Sequence, residues 1–267
     1  MEIQGWRELL EPYQLAVDEI IVKLNHIIHQ YRKRGQYSPM EQVSGRVKSI
    51  SSILDKMQKK QIPFEEIRTR IEDISGIRII CQFEEDIQKV VDLISARADM
   101  QIKTQKDYVL NEKDSGYRSY HMIVYYDVHT LDGLHRIPVE FQIRTLAMNF
   151  WATIEHSLQY KYKHNLPAPI SEKLKNASKA VLALDAEMAT IREEILDAQN
   201  SFHRKENVVA DILNNIQNLY KVANKREIVK IQDEFYRIYA TDDLESLAQF
   251  SKELDLISEG YRSQSLR

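Results

Sequence analysis

Residues 118–145 read RSYHMIVYYDVHTLDGLHRIPVEFQIRT, and their pattern decides the fold class. Arg118 to Val128 is a β-rich run, and Leu131-Asp132-Gly133 behind it is a turn signal. From His135 to Thr145 the residues alternate: Val139, Phe141 and Ile143 point one way, Glu140, Gln142 and Arg144 the other. A strand of this kind buries one face and leaves the other for chemistry.

Working outward, Gly76 to Phe83 is a short Ile-rich run that reads as a buried strand. Asp86 to Ala98 has helical spacing, and Ile102 to Leu110 can hold a strand. Upstream, residues 6–34 read as one long helix with Leu9, Leu10, Tyr13, Ala16, Val17, Ile20, Leu24, Ile27 and Ile28 on its apolar stripe. Pro12 is tolerable only near the start of that helix. Ser49 to Lys60 is again helical, with Ile50, Ile53, Leu54 and Met57 as its stripe, and Pro63 ends it. From Leu146 the chain reads as helix almost to its end, with Pro167 and Pro169 as the main break. The expected fold is therefore α+β: a sheet of about four or five strands, helices around it, and helical N- and C-terminal extensions. Residues 1–200 are expected to form the principal domain and 201–267 a helical extension of unknown role. Val209, Ile212, Leu213, Ile216, Leu219, Tyr220 and Val222 give that extension an apolar stripe, expected to dock on the body or on a neighbouring subunit.

Composition sets the bounds on function. At 43% hydrophobic and 29% charged residues the chain is soluble and globular in type. A net charge of −3 gives no overall pull toward nucleic acid or anionic membrane, so a phosphate ligand needs a local cluster. The single cysteine, Cys81, excludes an intrachain disulfide and reads as a buried structural thiol. The start, Met-Glu-Ile-Gln, lacks a basic-then-apolar leader, and no apolar stretch approaches the ~20 residues that span a bilayer. The expected compartment is the cytoplasm.

Three constellations carry chemistry. Lys48, Ser52 and Lys56 recur every four residues, Lys59 follows, and Arg46 leads in; the spacing stacks them on one helical face. Lysines so placed repel one another unless an anion is present, and a polyphosphate is such an anion; a solvated polar face is the plainer reading. Asp73 precedes the Ile-rich strand and Glu140 lies on a strand's polar face, so the two could hold Mg²⁺ against nucleotide phosphates. Asp73 could equally cap or solvate a loop. In the segment 113–121, KDSGYRSYH, a loop entering a strand, Gly116 frees the backbone, Tyr117 offers a flat face for a base, and Tyr117, Ser119 and His121 share one strand face. Ordinary packing accounts for Tyr117 and His121 as well.

The segments Gly116-Tyr117-Arg118-Ser119-Tyr120-His121 and Glu140-Phe141-Gln142-Ile143-Arg144-Thr145 together resemble the paired signature of the RelA/SpoT-type alarmone synthetase domain. Asp73-Ile74-Ser75-Gly76-Ile77-Arg78 resembles that family's metal-aspartate motif, and the run from Ala147 to His156 resembles its following helix. With Gly45-Arg46-Val47-Lys48-Ser49, the match is to the small, hydrolase-free RelQ-type members, over about residues 6–200. The resemblance implies a nucleotidyltransferase-like fold with a mixed sheet, and an ATP:GTP 3'-pyrophosphotransferase that makes pppGpp or ppGpp and releases AMP. It implies Asp73 and Glu140 as Mg²⁺ ligands and catalytic carboxylates. Arg46 and Arg78 would clasp adenine, and Lys48, Ser52, Lys56 and Lys59 would hold the ATP phosphates. Tyr117 would stack on guanine, while Lys106, Lys113, His121, Gln142 and Asn149 line the GTP site. Glu155 and His156 would brace the following helix.

The family's hydrolase centre is not visible, since no His-Asp dipeptide occurs in the sequence. RelQ-type members form tetramers whose central cleft takes the alarmone as activator, partly through the N-terminal helix; here that helix offers Ile21, Asn25 and one nearby cation, Lys23. A homotetramer is expected, because the stripes on residues 6–34 and 170–200 exceed what one small sheet domain can cover. The alarmone or single-stranded RNA are the regulators to consider. Pyrophosphate transfer to another acceptor is the alternative within enzymes, and a non-catalytic nucleotide or RNA sensor the alternative outside them.

Overall fold

The structure, a computed structural model, describes residues 3–162, 166–221 and 223–265. The first unit, Met1–Ala189, is built on a five-stranded mixed sheet with strand order β1-β2-β5-β4-β3. Its strands are β1 (Gln42–Val47), β2 (Ser75–Cys81), β3 (Met100–Asp107), β4 (Tyr120–Thr130) and β5 (Gly133–Thr145). β2 and β5 run parallel, with Gly76 opposite Glu140; all other neighbours are antiparallel. β4 and β5 form a hairpin that closes at Thr130 and Gly133, where the turn signal stands.

One face of the sheet is covered by α1 (Ile3–Lys33) and α4 (Glu85–Ser95). Trp6, Leu9, Tyr13, Ala16, Val17, Ile20, Leu24 and Ile28 of α1 are all buried in the principal core. Pro12 lies inside this helix, not at its edge. The roughly 3 kcal/mol that an interior proline costs is outweighed by an apolar face on which each Val, Leu or Ile contributes roughly 1.5–3 kcal/mol. Gly45 of β1 faces α1 at close range: a Cβ there would lie 2.8 Å from both Val17 and Ile77 side-chain atoms. The α1 stripe is thus covered within one chain, which removes it as a reason for tetramer formation. Lys23 is likewise engaged internally, 2.9 Å from Asp99 and 2.6 Å from the Tyr126 hydroxyl.

β1 is the element the sequence does not announce. Only Val43 of its residues is buried, and an edge strand with one buried side chain shows no period. The remaining helices of this unit are α2 (Ile50–Lys60), a short turn of helix α3 (Ile67–Arg70), α5 (Leu146–Lys161) and the start of α6 (Ala168–Leu219); Trp6 of α1 packs edge-on against Phe64 just before α3. Pro169 sits in the first turn of α6, where a missing N–H costs nothing.

The second unit, Thr190–Arg267, is helical: the end of α6, α7 (Lys225–Tyr239) and α8 (Leu244–Ser265). Ile212, Ile216 and Leu219 close against Ile228, Phe235, Leu247, Phe250 and Leu254 as a separate core. Of the expected tail stripe, Ile212, Ile216 and Leu219 are thus covered by α7 and α8 and Val209 is partly covered, while Leu213 and Tyr220 are exposed; Val222 of that stripe lies outside the described residues. Among the described residues no helix is long and apolar enough to cross a membrane.

Candidate active site

Strand alternation delivers the site. In β2 and β5 the residues Ser75, Ile77, Val139, Phe141 and Ile143 are buried, while Gly76, Arg78, Glu140 and Gln142 look out on the opposite face. Ser75 donates to the Tyr13 carbonyl of α1, fixing β2 on its covered side. Asp73 enters just before β2, and α2 lies beside it.

Two carboxylates form the centre. The Asp73 carboxylate takes Lys48 Nζ at 2.6 Å and Lys56 Nζ at 2.7 Å. Burial alone would raise its pKa, but the hydrogen bonds and charges of Lys48 and Lys56 outweigh it and hold Asp73 below the ordinary carboxylate range. Glu140 is also raised by burial and more strongly lowered, chiefly by His121 and then Gln142, with Asp73 opposing. Both groups are therefore anionic at neutral pH.

A hydrogen-bonded chain runs across β5 and β4. Arg144 donates to Gln142 Oε1 at 3.2 Å, and Gln142 donates to Glu140 Oε2 at 2.9 Å. His121 Nδ1 lies 3.2 Å from Glu140 Oε1, and its Nε2 lies 2.9 Å from the Tyr117 hydroxyl. His121 thus bridges the Tyr117 hydroxyl and the Glu140 carboxylate through its two ring nitrogens. The Arg144 guanidinium lies 6.0 Å from the Tyr117 ring centre and closes the circuit. Burial lowers Arg144 to about 10, with Tyr117 opposing and Arg78 assisting. Burial and then Arg46 lower Arg78. The Nε atoms of Arg78 and Arg144 are buried without a partner.

Three cavities open on this face. One of about 250 Å³ is lined by Arg46, Lys48, Asp73, Arg78, Glu140 and Gln142, among others. A second, of about 390 Å³, gathers Lys56, Lys60, Arg70, Lys106, Lys113 and His121, and shares Asp73 and Glu140 with the first. A third, of about 300 Å³, joins Arg46, Arg78 and Gln142 to Tyr117, Arg144, Glu155 and His156. The carboxylate pair thus stands where two cation-rich compartments meet.

Most of the residues singled out in the sequence come together here, and three stand apart. Ser52, Lys59 and Asn149 line none of the three cavities. Ser52 is tied to the Ser49 cap of α2, Lys59 is exposed, and the Oδ1 of Asn149 is buried without a partner. Ser119 is fully buried and donates to the Ile143 carbonyl, so it does not share the open face of Tyr117 and His121. Cys81 is buried and its thiol pKa raised, chiefly by desolvation, as a structural thiol requires. Lys60, Arg70, Tyr108 and Arg144 are additions. Lys60 continues the Ser52/Lys56 spacing and Arg144 the Glu140/Gln142 alternation; Arg70 and Tyr108 come from distant segments and carry no sequence signal.

The donor set suits a hard cation. Among the described residues no cluster of three or more His, Cys, Asp or Glu exists. Two ionised carboxylates facing cavities lined with lysine and arginine match Mg²⁺, which takes few protein ligands and completes its shell with water and phosphate oxygens.

A face that brings two cationic compartments to one carboxylate pair defines a polyphosphate-handling protein. Comparison with known proteins narrows the class. The family described as the region found in RelA / SpoT proteins matches residues 45–165. The GTP pyrophosphokinase YjbM of Bacillus subtilis (strain 168) is 49% identical over 206 residues, 77% of this chain and 97% of that protein. The GTP pyrophosphokinase YwaC of the same organism is 35% identical over 195 residues, 72% of this chain and 93% of that protein. The crystal structure of small alarmone synthetase 1 from Bacillus subtilis, bound to its product pppGpp, superposes with a TM-score of 0.70 at 49% identity, covering 72% of this chain and 98% of that one. The chain belongs to the RelA/SpoT-like small alarmone synthetases.

Proposed function

We propose that the chain is a GTP pyrophosphokinase that synthesises pppGpp or ppGpp from ATP and GTP or GDP, and that it does so in the cytoplasm. The observation that carries this reading is the Asp73/Glu140 pair shared by two cation-lined cavities, in a chain 49% identical to a GTP pyrophosphokinase. In the reaction the 3'-oxygen of the guanine nucleotide bonds to the β-phosphorus of ATP. The bond from that phosphorus to the α,β-bridging oxygen breaks, and AMP leaves with the oxygen.

The chain's own residues supply positioning and charge. Arg46 and Arg78 hold the adenine, and Lys48 and Lys56 bear on the ATP phosphates, with Ser52 and Lys59 as further candidates on α2. Tyr117 stacks on guanine, and Lys106, Lys113, His121, Gln142 and Asn149 complete that site. Glu140, oriented by His121 and Gln142, is the group placed to accept the 3'-hydroxyl proton. Magnesium, when bound, would be held by Asp73 and Glu140 and would neutralise charge across the phosphates.

The assembly reading is a homotetramer, supported by the exposed Leu184, Met188, Ile191 and Ile195 on α6. Light scattering at micromolar concentration tests it, and a monomer refutes it. For the activity, the protein is incubated with Mg²⁺, ATP and each guanine nucleotide, and products are read by mass spectrometry. Guanosine 3'-diphosphate products with equimolar AMP are expected; AMP without them, or transfer only to an adenine nucleotide, overturns the assignment.

A further inference from the structure

Ser178 of α6 is 2% exposed. A buried hydroxyl needs a partner, and a serine inside a helix commonly donates to its own carbonyl four residues back. Ser178 donates instead to the carbonyl of Gly116, 62 residues away in sequence. That carbonyl belongs to the peptide joining Gly116 to Tyr117. A peptide is planar, so its oxygen and the Tyr117 N–H move together. The Tyr117 N–H lies 3.4 Å from the Ser115 hydroxyl, so both ends of one plane are held. The next plane is held too, because the Lys113 N–H donates to the Tyr117 carbonyl at 3.2 Å.

Gly116 shows how close α6 comes. Its φ is +88°, and a Cβ there would lie 2.9 Å from the Ser178 Cβ and 3.4 Å from the Lys175 Cα. Only glycine meets both demands. The contact belongs to a continuous face of α6. The Leu174 carbonyl accepts from Trp151 Nε1 at 2.9 Å, Val181 packs on the principal core, and Asp185 accepts from Thr145 at 2.7 Å. Positions 174, 178, 181 and 185 share one side of a helix. They touch α5, the 113–117 loop and the end of β5, the three segments that frame Tyr117, Gln142 and Arg144.

We propose that Ser178 is a positioning residue for the acceptor nucleotide, fixing through the Gly116 carbonyl the angle at which Tyr117 presents its ring. The inference rests on Tyr117 as the platform for the guanine base. Stacking tolerates little rotation, and small misplacements of a positioned group are felt strongly in rate. Lys113, which lies 4.8 Å from the Tyr117 ring centre, depends on the same loop geometry.

The test is Ser178→Ala, which keeps the Cβ and deletes the hydroxyl. Loss of one hydrogen bond should raise the KM for GTP roughly 3- to 10-fold. The KM for ATP should stay within about twofold and Tm within about 2 °C, because the deletion touches one loop. Amide exchange at Tyr117 should quicken in the same variant. Should Ser178→Ala fold poorly, Ser178→Cys, nearly isosteric and a weaker donor, is read in the same way. An unchanged KM for GTP in a folded variant overturns the proposal. So does a joint rise of both KM values with a fall in Tm, which would make Ser178 a general prop. A wild-type protein that made no product from ATP and GTP would refute the function instead, and unchanged exchange at Tyr117 would still refute the Ser178 contact.

Discussion

The two units of the chain bury different things. The first buries Ser75, Asp86, Ser119, Arg144, Thr145, Ser178 and Asp185; among the described residues of the second only Ser258 is a buried polar residue. Each such group costs free energy unless it is paired. In the first unit Ser119, Arg144, Thr145, Ser178 and Asp185 lie on or beside the segments that frame the site, and single buried atoms there, Arg78 Nε, Arg144 Nε and Asn149 Oδ1, have no partner. The second unit closes on Ile, Leu and Phe side chains, an economical way to be stable and a poor way to do chemistry. The contrast places the catalytic load in Met1–Ala189 and asks what the second unit is for.

The sharpest test of that contrast lies at its centre. Asp73→Asn and Glu140→Gln should each lower turnover by roughly 10²–10³-fold, since a lost metal ligand removes several kcal/mol of transition-state stabilisation. Both residues border open cavities, so thermal unfolding should change little. A folded variant with near-normal turnover would sink the assignment of the pair.

A smaller effect is expected along α2. Lys56→Ala should raise the KM for ATP about tenfold and by more than the KM for GTP. Sequence spacing points to Lys59 as the next phosphate ligand, whereas the cavity is lined by Lys60. Steady-state kinetics of Lys59→Ala beside Lys60→Ala decide between them: the larger rise is expected at Lys60, and the reverse order would return the role to Lys59. If only the GTP constant moved in Lys56→Ala, the two nucleotides would have been assigned to the wrong compartments.

What could be read in advance follows from how information is carried along the chain. The β4–β5 hairpin was legible because alternation and a turn signal are local properties of residues 118–145. The carboxylate pair was legible as two candidates, but their shared position between cavities depends on β2 and β5 being parallel neighbours, a non-local fact. β1 escaped because an edge strand with Val43 as its one buried residue has no pattern. Ser178 and Asp185 escaped because a polar residue in a long helix reads as solvent-facing until the loop it meets is known. The self-covering of the C-terminal stripe escaped because a stripe tells that something covers it, not what.

Removing residues 205–267 should leave turnover within about twofold of full length, because every group that touches substrate in the proposed mechanism lies between Arg46 and Asn149. The deletion takes Ile212, Ile216, Leu219 and all of α7 and α8, hence the whole second core. Thermal stability or oligomer size should therefore change before chemistry does. Activity measurements beside light scattering check this. A truncated protein that stayed folded and kept its assembly but lost activity would make the second unit part of the catalytic or regulatory machinery.

The smallest expected effect on turnover, and an informative one for stability, is at Asp185. Burial raises its pKa to about 6, with the Thr145 hydroxyl opposing and Glu84 assisting. The folded protein therefore holds this proton more tightly than the unfolded chain, whose carboxyl titrates near the ordinary 3.8. For a raised folded value the linked stability is fully present below the unfolded pKa and is lost as pH rises through about 6. Above that, an ionised carboxylate is confined against the Thr145 hydroxyl, with the Glu84 charge opposing its ionisation. Asp185→Asn keeps an acceptor for the Thr145 hydroxyl and has no proton to lose. If it matches wild type near pH 5, it should exceed it near pH 7.5 by about 1.4 kcal/mol, since about one pKa unit of the linkage is lost between the two values. Thr145 also accepts the Met148 N–H that opens α5, so the same latch sets the start of that helix. Thermal unfolding of both proteins at the two pH values gives the answer. A difference in Tm that is the same at both would show that Asp185 ionises normally, and the face of α6 would then hold β5 without any titrating group.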